Sequence, residues 1–122
     1  MGCDFVLVVD DDEELRSSIE EVLALDGHRV VGVANGEQAL GVLAIARPQL
    51  VVTDLSMPMR DGASLIADMH AHDRTSHVPV CVLSGEIDKA PPGVPTLKKP
   101  VEVAELCRTV DNMLANQEAQ AA

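Results

Sequence analysis

The sequence predicts an α/β fold, a doubly wound parallel sheet of five strands with helices on its faces. Short apolar runs rich in Val, Leu and Ile alternate along the chain with longer amphipathic stretches. Each apolar run is too short for a helix and has no polar face, as in strands buried on both sides. Parallel neighbours also need a crossover between them, and a helix turning right-handed fills that role. With 122 residues the chain suits one domain over 1–122, closed by a polar tail at 117–122.

The first strand is Phe5 to Val9. DDDEELRSSIEEVLALDG then places Leu15, Ile19, Val22 and Leu23 at helical spacing, with acids in the first turn and Gly27 as a stop. HRVVGV, residues 28–33, is the second strand. Asn35 can cap a second helix from Gly36 to Ala46, which Pro48 prevents from continuing. LVVTD, residues 50–54, is the third strand, and LSMPMRDG reads as a loop through its Pro and Asp-Gly. A third helix, Ala63 to His72, turns Leu65, Ile66 and Met69 inward, and VPVCVLS, residues 78–84, is the fourth strand.

GEIDKAPPGVP, residues 85–95, has room between its prolines for about one helical turn, so the fourth helix is expected to be shortened or missing. TLKKP supplies a fifth strand ending at Lys98-Lys99-Pro100. From Val101 to about Asn116, Val103, Leu106, Val110, Met113 and Leu114 share one face of a last helix.

Composition excludes several functions. The net charge of −11 would repel a nucleic-acid backbone, and Phe5 is the only aromatic residue, so no platform exists for stacking bases. No apolar run reaches the roughly 20 residues of a membrane helix, and the start MGCDFVLVVDDDEE passes straight into acid, unlike a signal peptide. Cys3, Cys81 and Cys107 are odd in number and widely spaced, which fits a reducing cytoplasm better than a disulfide or zinc framework. Phosphate-loop, dinucleotide and zinc-protease signatures are absent. His70, His72 and His77 are expected at an exposed helix end, and Cys81 as a small hydrophobe in a strand.

Ligands of such sheets bind beyond the carboxyl ends of the strands. Those ends carry Asp10-Asp11, Asp54, Ser84-Gly85 and Lys98-Lys99-Pro100. If the first and third strands are neighbours, three carboxylates converge, and two charges 4 Å apart cost about 4 kcal/mol at an effective dielectric of 20. Such a cluster calls for a cation, and oxygen donors with room for water and a phosphate suit Mg²⁺. Asp12 is assigned to capping the first helix and Lys98 to a solvated turn.

With these residues in their order and spacing, from VLVVDDD through LVVTDLSMPMRDG and CVLSG to LKKP, the chain resembles a response-regulator receiver domain of two-component signalling. The resemblance implies a flavodoxin-like strand order 2-1-3-4-5. It makes Asp54 the acceptor of a phosphoryl group from a histidine kinase or phosphotransfer protein. Asp10 and Asp11, with Asp54 and the backbone carbonyl of Ser56, would hold Mg²⁺. Lys99 would contact the phosphoryl oxygens and Ser84 would donate its hydroxyl, while Met57, Pro58 and Gly62 frame the acceptor. Pro100 would follow a cis peptide, and Ser56 and Glu86 sit where the family tunes hydrolysis.

Two departures bear on output, which would pass to a downstream protein target. Thr96 stands where many members carry Tyr or Phe, and the 85–95 span is short, so dimerisation through that surface is not expected. A receiver-like docking module with vestigial phosphorylation is the alternative. An aspartyl-nucleophile phosphatase is a second one, but it needs an Asp two residues after its nucleophile; Asp54 is followed by Leu55-Ser56, whereas Asp10 and Asp12 have that spacing.

Overall fold

The computed structural model describes residues 5–55, 62–85 and 93–121, with side chains as far as residue 116. Strand β1 (Val6–Val9) is fully buried and leads into α1 (Glu13–Leu25). Asp12 caps α1, its side chain accepting from the Leu15 amide at 3.1 Å, as its assignment to capping required. Gly27, at φ +96°, ends that helix: the Gly27 amide donates to Ala24 and the His28 amide to Leu23. His28 and Arg29 therefore belong to the turn, and β2 (Val30–Val33) starts two residues later than predicted.

Asn35 caps α2 (Gly36–Ile45) by accepting from the Gln38 amide at 2.9 Å, and the Gln38 side chain accepts from the Ala34 amide at 2.7 Å. β3 (Leu50–Asp54) follows, then α3 (Gly62–Ala71), which buries Leu65, Ile66 and Met69 as predicted. β4 (Val80–Ser84) begins after Pro79, not at Val78, because proline has no amide to give the ladder. Of the connection to β5 (Thr96–Lys98), Gly85 and Gly93 to Pro95 are described and are not helical. The expected helical turn falls on residues 86–92, outside the described residues.

The last helix, α4 (Val103–Ala121), differs from expectation at both ends. Val101 packs on the core ahead of the helix, and Val103, predicted to face inward, is 57% exposed in the first turn. At the other end the helix continues to Ala121, since Ala, Gln and Glu favour helix and no Gly or Pro intervenes. Among the described residues no helix is long and apolar enough to cross a membrane.

All strand pairs are parallel, in the order β2-β1-β3-β4-β5. Strand alternation splits the core in two. Leu7, Val9, Val51, Val80 and Val82 pack with α2 and α3, while Val6, Val8, Leu50, Val52, Cys81 and Leu83 pack with α1 and α4. Burial on both faces explains why the strands read as unbroken apolar runs.

Candidate functional site

Because every strand runs the same way, Asp10, Asp54, Ser84 and Lys99 emerge at one edge of the sheet. Val9 pairs with Thr53, which sets Asp10 beside Asp54. Ser84 pairs with Lys98, and the Lys99 amide donates to the Ser84 carbonyl at 2.9 Å, drawing Lys99 towards the middle of the edge. Carboxylate oxygens of Asp10, Asp11 and Asp54 lie within 4.8 Å of one another. Asp10 is wholly buried, Asp54 nearly so, and Asp11 stands exposed at the rim.

The Lys99 ammonium reaches into this cup, 3.1 Å from Asp54 Oδ1 and 3.4 Å from Asp10 Oδ2. Asp10 Oδ1 accepts from the Asp12 amide at 2.9 Å. Burial pushes the Asp54 carboxyl above its ordinary value; contact with Lys99 pulls against this without cancelling it, and Asp10 and Asp11 add repulsion. Burial opposes the Lys99 charge, but Asp54 and Asp10 outweigh it and hold the amine above its ordinary value.

A carboxyl raised on folding adds stability below its unfolded value and loses it as pH rises through the folded one. Ionised Asp54 therefore costs stability at neutral pH when no divalent ion is present. Asp54→Asn is expected to melt at a higher temperature than the wild type in EDTA at pH 7. Thermal denaturation at pH 7 checks this; an equal or lower melting temperature for Asp54→Asn would contradict it.

Ser84 is buried at the end of β4. The Lys99–Pro100 peptide is cis, as the resemblance implies. Thr96 is half-buried, its hydroxyl donating to the Val94 carbonyl at 3.0 Å. Ser56, Met57, Pro58 and Glu86 lie outside the described residues. Asp12 spends its carboxylate on the α1 cap, so the Asp10/Asp12 spacing does not build a second acid at a nucleophile. Burial pushes the Cys81 thiol up to about 12, in line with its reading as a core hydrophobe.

Sequence reasoning missed Arg16, whose Nη1 donates to the Asp10 carbonyl at 2.9 Å. The Glu20 that follows at i+4 was the available signal. It also passed over His28, whose Nε2 lies 3.0 Å from Asp111 Oδ1.

Residues 6–111 match the family model of the response regulator receiver domain. The chain belongs to that family. This receiver domain is 37% identical over 123 aligned positions to the transcriptional regulatory protein PrrA of Mycobacterium leprae, an alignment covering 95% of this chain and 52% of that protein. It is 34% identical over 83 positions to sporulation initiation phosphotransferase F of Bacillus subtilis, covering 68% of this chain and 67% of that one. The receiver domain thus spans about half the length of PrrA.

Among solved structures it is similar to a putative response regulator from Chloroflexus aurantiacus, with TM-score 0.86 and 32% identity over 92% of this chain and 98% of that one. It is also similar to the receiver domain of the sensor histidine kinase PA1611 from Pseudomonas aeruginosa, with TM-score 0.84 and 27% identity over 92% and 98% of the two chains. That structure has a magnesium ion coordinated in its active-site cleft. The acidic cup of this receiver domain fits such an ion: its donors are all oxygen, two carboxylates are buried, and the third is open to water.

Proposed function

We propose that this receiver domain accepts a phosphoryl group on Asp54 from the phosphohistidine of a histidine kinase or phosphotransfer protein, and passes the signal to a downstream protein by contact. The observation that carries this reading is the nearly buried Asp54 carboxylate held 3.1 Å from the Lys99 ammonium beside Asp10 and Asp11. An Asp54 oxygen attacks phosphorus as the P–N bond of the phosphohistidine breaks, and the electron pair returns to the imidazole, which takes up a proton. The product on Asp54 is an acyl phosphate. Lys99, between Asp54 and Asp10, turns its ammonium to the incoming phosphoryl oxygens. Ser84, one strand away and tied to Lys99 through its backbone, offers its hydroxyl to the same group.

Asp10, Asp11 and Asp54 are the residues to hold Mg²⁺, with the Ser56 carbonyl as a further ligand. When bound, the ion neutralises charge on the transferring group. Catalysis here is positioning and electrostatics, with no substrate turned over beyond self-directed transfer and hydrolysis.

Thr96 favours a distinct readout. Its hydroxyl is engaged by the Val94 carbonyl, two residues earlier and just ahead of β5, at the position where many family members carry an aromatic ring. Output therefore does not run through an inward-turning ring.

Incubation with Mg²⁺ and acetyl phosphate, followed by intact-mass measurement, is expected to show the gain of one phosphoryl group that Asp54→Ala abolishes. No gain, with Mg²⁺ binding also undetectable, would favour constitutive docking instead. Steady turnover of phosphate esters without a trapped adduct would favour a hydrolase.

A further inference from the structure

We propose that Arg16 is a positioning residue for the acidic pair, fixing the peptide between Asp10 and Asp11 so that both carboxylates face one ion, with its side chain lying beside Gly32 of β2. This rests on the reading of Asp10 and Asp11 as the Mg²⁺-binding pair.

The ladder of β1 ends at Asp10, whose amide still donates to the Val33 carbonyl. Its own carbonyl lies past the last strand pair, where the chain turns into α1. Arg16, one turn into that helix, takes this carbonyl at 2.9 Å. Asp10 is thereby held at four points: its amide by Val33, its carbonyl by Arg16, Oδ1 by the Asp12 amide and Oδ2 by Lys99. Asp11 is exposed and has no strand beneath it, so the plane of the Asp10–Asp11 peptide governs where its carboxylate points.

Arg16 is itself aimed. Its Nε lies 3.8 Å from Glu20 Oε1 one turn further along α1, and its side chain is only 18% exposed. Both side chains lie over β2 at Gly32. A β-carbon at Gly32 would collide with the Glu20 carboxylate and come within 3.3 Å of Arg16 Cδ. A glycine flanked by valines in an edge strand loses β propensity, and the room it leaves is filled by this pair. Glu20 and Arg16 thus form a short chain of contacts along α1 that ends on the Asp10 carbonyl.

Positioning and plain electrostatics predict opposite signs. A guanidinium near the site repels a divalent cation, so if charge were its only effect, Arg16→Ala would tighten Mg²⁺ binding. If Arg16 positions the pair, its loss weakens binding, as removal of an outer partner of a metal ligand does by about 10- to 100-fold.

The test is a Mg²⁺ titration of the full chain, followed by backbone amide NMR shifts at Asp11 and Asp12, with no phosphodonor present. Arg16→Ala is expected to raise the Mg²⁺ dissociation constant about tenfold. An unchanged or lowered constant would overturn the proposal. Should Arg16→Ala not fold, Arg16→Lys keeps the charge but replaces the guanidinium fork with a shorter amine. Weakening by about threefold is the positive result, and wild-type affinity the negative one. A wild-type chain that binds no Mg²⁺ would sink the metal reading together with this inference, whereas a binding wild type with an indifferent Arg16→Ala would sink this inference alone.

Discussion

Gly62→Ala is expected to lower stability by about 1–3 kcal/mol, the usual cost of forcing an extra carbon into a packed site. At about 4 °C per kcal/mol for a chain of this length, the melting temperature falls by about 4–12 °C. The reason is local. A β-carbon at Gly62 would strike the Asp54 carbonyl oxygen and sit 2.9 Å from Leu55 Cα and 3.2 Å from the Asp54 carbonyl carbon. These are backbone atoms, so no side chain can swing away. The Gly62 amide also donates to the Leu55 carbonyl at 2.8 Å, fastening the start of α3 to the residue after Asp54. Either α3 slides or the Asp54 peptide turns, and the second displaces the acceptor carboxylate. Phosphorylation of Gly62→Ala by acetyl phosphate should accordingly fall along with stability. Gly41→Ala is the control: it lies inside α2 with nothing within 4 Å of the new carbon, and should stabilise by about 0.5–1 kcal/mol. Equal melting temperatures for the two variants would refute the account of Gly62.

Lys99→Ala is expected to divide the behaviour of the protein by metal content. In EDTA it leaves Asp10 and Asp54 without the ammonium that touches both, at a cost of about 2 kcal/mol, or about 8 °C. Added Mg²⁺ should restore most of the loss and bind more tightly than in the wild type, because the amine no longer competes for the same carboxylate oxygens. Arg16→Ala carries the opposite sign for Mg²⁺, although both residues are cations, since one touches carboxylates and the other a carbonyl. Asp54 should remain phosphorylatable in Lys99→Ala, with a weakened conformational response. Melting curves with and without Mg²⁺, and NMR spectra before and after phosphorylation, check both halves. An equal Mg²⁺ effect on melting in Lys99→Ala and wild type would refute the first half, and an undiminished spectral response would refute the second.

Much of this site was legible because strand ends are legible. An apolar run that stops at an acid, an Asp-Asp pair or a Lys-Pro marks where a buried strand meets solvent, and parallel order brings those ends together. What remained hidden had physical reasons. Arg16 acts on a backbone carbonyl, which has no side-chain identity to read. Gly62 is needed for a close approach to Asp54, which spacing alone does not reveal; the family resemblance pointed to it. Val103 fits the helical period but precedes the turn that meets the core, and periodicity does not mark where burial starts. The end of α4 is hidden in the sequence because NQEAQA, residues 116–121, reads as a polar tail while its residues favour helix.

The contact between Lys99 and Asp10 spans 89 residues, and it is made by the residue that follows β5, the strand that is both last in order and shortest. The three acids, by contrast, are brought together by β1 and β3 alone. Any folding route that pairs those two strands before β5 docks must gather like charges with no internal counter-ion. In such a route β5 docks on β4 across the short connection between Ser84 and Thr96, and only then does the counter-charge arrive. Lys99 then acts as the latch of the fold, and a divalent cation supplied during refolding should stand in for it until it arrives.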